Sequence, residues 1–279
     1  MTITNEQRTA YRAFLRCLER AAATVERYMT IIDNLAQYLG DRPLSKEALV
    51  EWCDSLAQSS ATANVAISAA NGFAAFLCRP DLKLRHRKRQ RRVYRPAERE
   101  LTREEYERLI KTAEARGRER LARVIETICS LGLRVSELGS ITVEALDKKE
   151  VTIRCKGKER TVMLNAKLLR KLRLYCKKHG VTNGPVFVTR TGRTLGRKQI
   201  WAEMKSLCEA ANVLPDKVFP HNLRHLFAVT HYRQHKDVVR LADLLGHSNV
   251  NTTRIYLMTS GEEHRQELEN LGLVLTDAA

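Results

Sequence analysis

Through the first quarter of the chain, apolar residues recur every three or four positions, the spacing of helices that bury one face. Tyr11, Phe14, Leu15 and Leu18 form the first stripe. Tyr28, Ile31, Ile32, Leu35, Tyr38 and Leu39 form a second, which Gly40 ends. Ser45 is placed to cap a third helix running to Leu56. Ile67, Ala70, Phe73, Ala74 and Leu77 line a fourth, where Ala66, Ala69 and Ala70 allow close helix packing. Residues 1–78 therefore read as an all-helical module.

The periodicity vanishes over residues 79–99, which predicts an inter-domain linker bracketed by Pro80 and Pro96. Helical spacing then returns for a second domain over 100–279. Thr102 and Glu105 make a capping box ahead of Tyr106, Leu109 and Ile110. A helix pattern over 121–138 is interrupted at Gly132. Strict alternation of Val151, Ile153 and Cys155, then of Val162 and Leu164, predicts a β-hairpin with Lys156–Arg160 at its tip. Further helices are expected at 166–179, 197–211, 221–235 and 237–245, with a short buried strand at Val186-Phe187-Val188. A short helix opening near Asn251 carries Tyr256, and the tail from Glu262 to Leu271 is helical again. The expected fold is mainly α with a small antiparallel β-sheet: a helical bundle, then an α+β domain.

Charge sharpens the picture. The 279 residues carry a net charge of +17, and 79–99 alone hold ten Arg or Lys against two acidic residues. So basic a protein meets a polyanion, with nucleic acid the first candidate and a ribosomal or merely soluble basic protein the bland alternative. Charge this dense repels itself unless neutralised, so Arg85, Arg87, Lys88, Arg89, Arg91 and Arg92 are candidate phosphate contacts. The seven cysteines are widely spaced and form no CxxC, which argues against a disulfide framework or zinc site and for a reducing, cytoplasmic setting. No signal peptide and no membrane span are expected, since no apolar run approaches about 18 residues.

The candidate chemistry gathers late in the chain. Arg134, His221, Arg224, His225, His247 and Tyr256 supply guanidinium, imidazole and phenol groups. Guanidinium grips phosphate oxygens bidentately, and a tyrosine is a competent covalent nucleophile. His221, Arg224 and His225 share one helical face by i, i+3 and i+4 spacing. His247 follows Gly246, a natural helix C-cap. Taken alone, Arg134, after an apolar helix and before Glu137, reads as a structural ion pair. No glycine-rich phosphate cradle and no carboxylate cluster is visible, so no cofactor and no metal is expected.

Four stretches carry a resemblance: GLRVSEL at 132–138, CKGKER at 155–160, HNLRH at 221–225 and LGHSNVNTTRIY at 245–256. In this order they resemble the tyrosine recombinase (phage-integrase) family, and within it the Xer-like and mobile-element integrases. Thr24-Val25-Glu26-Arg27-Tyr28 resembles that family's helical core-binding domain. The resemblance implies a site-specific DNA recombinase that works through a 3′-phosphotyrosyl intermediate without metal or ATP. It assigns Tyr256 as nucleophile, Arg134, Arg224 and His247 as phosphate ligands, and His221 as phosphate ligand or proton acceptor. His225 is left between direct phosphate contact and support. Lys156 is the implied general acid, with Lys158 open because CKGKER is one residue shorter than the family's usual GKGNKER. The resemblance also implies a tetramer on two duplexes. A second recombinase or accessory protein remains a possible partner, and Leu268, Leu271 and Leu273 of the tail pack either on a neighbouring subunit or on their own domain. No extra N-terminal arm-binding domain is expected. A type IB topoisomerase-like nicking-closing enzyme and a non-catalytic DNA-binding factor are the alternatives.

Overall fold

The computed structural model describes residues 2–56, 60–88, 99–155, 158–189, 191–256, 261–271 and 273. The chain divides into two compact units, Met1–Arg91 and Arg92–Ala279.

The first unit holds helices α1 (Asn5–Cys17), α2 (Ala22–Leu39), α3 (Lys46–Ser55) and α4 (Ser60–Phe76). Thr4 closes a capping box with Gln7 at the start of α1, and Ser45 caps α3 as the sequence predicts. The stripes meet in one core that includes Tyr11, Ile32, Leu35, Trp52 and Phe73. Tyr11 meets Phe73 edge-on at 5.1 Å, a geometry that adds about 1 kcal/mol to simple burial.

Residues 80–88 differ from the expectation of a linker beginning at 79. Pro80–Leu82 form a 3₁₀ turn, and Leu82 and Leu84 are buried in the helical core. The next residues lie along α4. Asn71 both donates to and accepts from the Leu84 backbone, at 2.9 and 2.8 Å. Asn64 does the same with Arg87, at 3.0 and 2.8 Å, and Ser68 meets His86 between them. Three polar side chains one helical turn apart thus hold an extended strap that a reading of apolar period cannot detect.

The second unit runs α5 (Arg103–Ala115), α6 (Glu119–Leu131), α7 (Val143–Lys148), β1 (Glu150–Cys155), β2 (Lys158–Met163), α8 (Ala166–His179), α9 (Arg197–Lys205), α10 (Pro220–His235), α11 (Val238–Leu245) and α12 (Gly261–Asn270). Among the described residues, the only sheet is the antiparallel β1–β2 hairpin. Its register pairs Val151 with Val162, Ile153 with Arg160 and Cys155 with Lys158. The expected capping box of Thr102 and Glu105 opens α5. The core spans α5 through α10, with Leu109, Ile125, Ile128, Leu172 and Leu223 fully buried.

Two expectations shift locally. Val186 and Phe187 are buried, but only isolated bridges occur there, Thr142 to Pro185 and Val188 to Thr194. The helix expected over 197–211 stops at Lys205 and gives way to turns. Leu268, Leu271 and Leu273 of the tail are exposed. The six cysteines described are free thiols, four of them buried. Among the described residues, no helix is long and apolar enough to cross a membrane.

Candidate active site

The site begins where α6 ends. Gly132 takes the left-handed conformation at φ 61°, so the helix pattern breaks there and does not run on to 138. Arg134 adopts extended backbone and opens a 3₁₀ turn over Val135–Ser140. Glu137 folds back, accepting the Arg134 backbone N–H at Oε2 and its guanidinium Nη1 at Oε1, both at 2.8 Å. Arg160 reaches the same carboxylate from β2 with two parallel bonds, Nη1 to Oε1 at 3.0 Å and Nη2 to Oε2 at 2.8 Å. Burial would raise the Glu137 pKa, but the hydrogen bonds from Arg160 and Arg134 outweigh it and hold the carboxyl below its ordinary range. The pairing of Arg134 with Glu137 is real, yet 37% of the Arg134 side chain stays exposed.

Arg224 sits on the inward face of α10, 1% exposed. Its Nη1 donates to Gly132 O at 2.6 Å and its Nη2 to Leu245 O at 2.7 Å. These carbonyls close α6 and α11, the electronegative ends of two helices. Glu137 Oε2 lies 3.8 Å away, so Arg134, Arg160 and Arg224 all gather at one carboxylate. Burial, then the nearby Arg134, lowers the Arg224 pKa from its ordinary value.

His221 is exposed on the first turn of α10, whereas His225, one turn on, is buried with Nε2 at 3.3 Å from Glu100 Oε1. Gly246 ends α11 at φ 64°, and a Cβ there would stand 2.7 Å from Arg160 Nη1. His247 follows directly. Its Nε2 lies 3.1 Å from Arg224 Nη2, and its Nδ1 lies 2.9 Å from Thr253 Oγ1. Burial and then Arg224 push the His247 pKa down to about 4.

Tyr256 ends the 3₁₀ turn Val250–Tyr256 and is 3% exposed. Its ring is stacked with His247 at 6.0 Å and tilted against His225 at 5.2 Å and His221 at 6.3 Å. The Tyr256 phenol is near enough to Arg224 to oppose the lowering of that group's pKa. The fold therefore brings Arg134, His221, Arg224, His247 and Tyr256 together. Lys156, Arg89, Arg91 and Arg92 lie outside the described residues. Arg85 and Lys88 are exposed on the strap of the first unit. Arg87 is half-buried there, bonded to Cys53 O at 2.9 Å and to Asp54 at 2.6 Å. Among the described residues, no three His, Cys, Asp or Glu side chains come together as metal ligands.

A family model for the phage integrases matches residues 99–263. The chain belongs to the phage integrase family. Over 164 residues, this family member is 34% identical to tyrosine recombinase XerD of Xanthomonas campestris pv. campestris, covering 53% of this chain and 49% of that one. It thus spans about half the length of the curated relatives it matches. The crystal structure of the XerH site-specific recombinase bound to difH substrate has a TM-score of 0.70 at 19% identity, covering 95% of this chain and 84% of that one. A lambda integrase tetramer bound to a Holliday junction has a TM-score of 0.72 at 18% identity, covering 91% and 77%. At such identities the likeness is one of fold, and it matches the expected architecture of helices with a small antiparallel sheet.

Sequence reasoning gave no role to Arg160, Glu100 or Thr253. Arg160 had a usable signal: alternation from Val162 places a charged residue on the core-facing side of β2, where it needs a partner. Nothing in the sequence marks Thr253 apart from its neighbours.

Proposed function

We propose that this family member is a site-specific DNA recombinase that cuts and rejoins double-stranded DNA through a 3′-phosphotyrosyl intermediate. The reading is carried by one observation: the Tyr256 ring packs against the rings of His221, His225 and His247, and His247 meets the buried Arg224, which shares the Glu137 carboxylate with Arg134. Arg134 and Arg224 hold the non-bridging oxygens of the scissile phosphate and stabilise the charge of the pentacoordinate transition state. His247 adds a hydrogen bond to the same phosphate. The Tyr256 oxygen attacks phosphorus in line while its proton passes to His221. The phosphorus–5′-oxygen bond breaks, and Lys156 protonates the leaving oxygen. The phosphotyrosyl bond retains the energy of the diester, so attack by a 5′-hydroxyl on it reseals the strand without ATP.

In this reading the first unit binds the core DNA site, and the basic stretch 79–99 crosses the backbone through Arg85, Lys88, Arg89, Arg91 and Arg92. Recombination joins two duplexes in a tetramer in the cytoplasm, for integration or excision of a mobile element or for dimer resolution.

The test is covalent trapping on a nicked duplex built from repeats bordering the gene or element. The wild type is expected to leave a protein–DNA adduct on a denaturing gel, and Tyr256→Phe to bind the duplex without one. An adduct that persists in the phenylalanine variant would displace Tyr256 as nucleophile. The same mixtures run under native conditions read the tetramer.

A further inference from the structure

Thr253 has no part in the steps above, yet it is a polar side chain with 0% exposure. A buried hydroxyl persists where it is hydrogen-bonded, and Thr253 Oγ1 lies 2.9 Å from His247 Nδ1. The other ring nitrogen decides the direction of that bond. His247 Nε2 lies 3.1 Å from Arg224 Nη2, and a guanidinium offers only donors. Nε2 therefore accepts, and a neutral imidazole whose Nε2 accepts carries its proton on Nδ1. The opposite tautomer would set two N–H groups against each other. Nδ1–H donates to the Thr253 hydroxyl.

Thr253 also stands three residues before Tyr256 on a 3₁₀ turn, one full turn away. The hydrogen bond thus ties the His247 ring to the segment that carries the nucleophile. We propose that Thr253 is a positioning residue that locks His247 in its Nδ1–H tautomer, so that Nε2 faces Arg224 and the phosphate site only while the Tyr256 turn is docked. The pKa of about 4 keeps the ring neutral at pH 7 until an anionic phosphate, which favours the charged form, enters the site; a proton then taken at Nε2 makes an imidazolium that donates to a phosphate oxygen. The geometry stands by itself, and its consequence for the reaction rests on the recombinase reading.

The experiment uses the full chain labelled with ¹⁵N-histidine, the His247 ring signals being those lost in His247→Gln. Wild type, Thr253→Val and Thr253→Ser are compared in ring nitrogen spectra and in the rate of adduct formation on the nicked duplex. The wild type and the serine variant are expected to show the Nδ1–H tautomer. The isosteric valine variant is expected to lose it and to form adduct about 10- to 100-fold more slowly with duplex binding unchanged. A wild-type ring in the Nε2–H form overturns the proposal, even if the valine variant fails to fold. So does a valine variant that keeps both the tautomer and the rate. If the wild type binds duplex and forms no adduct while the tautomer follows the hydroxyl, the recombinase reading fails and the positioning role stands.

Discussion

Glu137 accepts four hydrogen bonds on two oxygens, from the Arg134 backbone and guanidinium and from both Arg160 nitrogens. A glutamine there accepts at one oxygen and turns an N–H₂ toward a guanidinium. Removing one partner of a buried pair leaves the other charge uncompensated, which costs about 3 kcal/mol. Glu137→Gln is therefore expected to lower the urea midpoint at pH 7 by a free energy of that order. The pH dependence has a definite sign. Because the folded-state pKa lies below the ordinary 4.5, the contribution of Glu137 is complete above about 4.5 and is lost as pH falls through the lowered value. The gap between wild type and variant should narrow on acidification in paired denaturation curves; a gap that widens contradicts this account.

At the scale of elements, two helix ends carry the site. Gly132 and Gly246 both need φ near +60°, and both are overlaid by side chains from elsewhere. A Cβ at Gly132 would meet Phe227 Cδ1 at 2.5 Å, whereas at Gly180, which ends α8 at φ 66°, it would meet nothing within 4 Å. The two substitutions separate backbone strain from packing. Gly180→Ala is expected to cost about 1 kcal/mol, the left-handed penalty alone. Gly132→Ala adds the cost of overpacking, for about 2–4 kcal/mol in total. It should also disturb Arg224, whose Nη1 is held by the Gly132 carbonyl. Equal melting shifts for the two variants would show that Phe227 yields freely.

For the whole molecule, the proposed function makes phosphate contact through the net charge of +17 the main source of DNA affinity, and makes that affinity fall with salt. The strap divides its basic residues by task. Arg85 and Lys88 are exposed, whereas Arg87 is engaged by Cys53 and Asp54. Arg85→Ala and Lys88→Ala are each expected to reduce the slope of log affinity against log salt by about 1. Arg87→Ala should leave the slope nearly unchanged and destabilise the protein by about 1 kcal/mol. Binding titrations on the nicked duplex across salt concentrations, beside thermal melts, check all three. An Arg87→Ala variant that changes the slope as much as Arg85→Ala would place Arg87 on the phosphates instead.

What the sequence determines by itself is whatever is written in local period and local capping. The four helices of the first unit, the capping box at Thr102, the hairpin and the helix from 166 to 179 all follow from side chains that meet neighbours three, four or two positions away. The grouping of Arg134, His221, Arg224, His247 and Tyr256 was legible through the resemblance of their stretches to the family's motifs. Only the tertiary structure decided what joins those stretches. Arg224 reads carbonyls from two helix ends, 92 and 21 residues away in the chain, and Arg160 crosses 23 residues to Glu137. Asn64 holds a strap 23 residues downstream that composition had assigned to a linker. Such contacts depend on where helices cross, and a side chain's identity does not reveal its distant partner. Thr253 is the clearest case: its neighbours in sequence say nothing of the histidine ring that burial places against its hydroxyl.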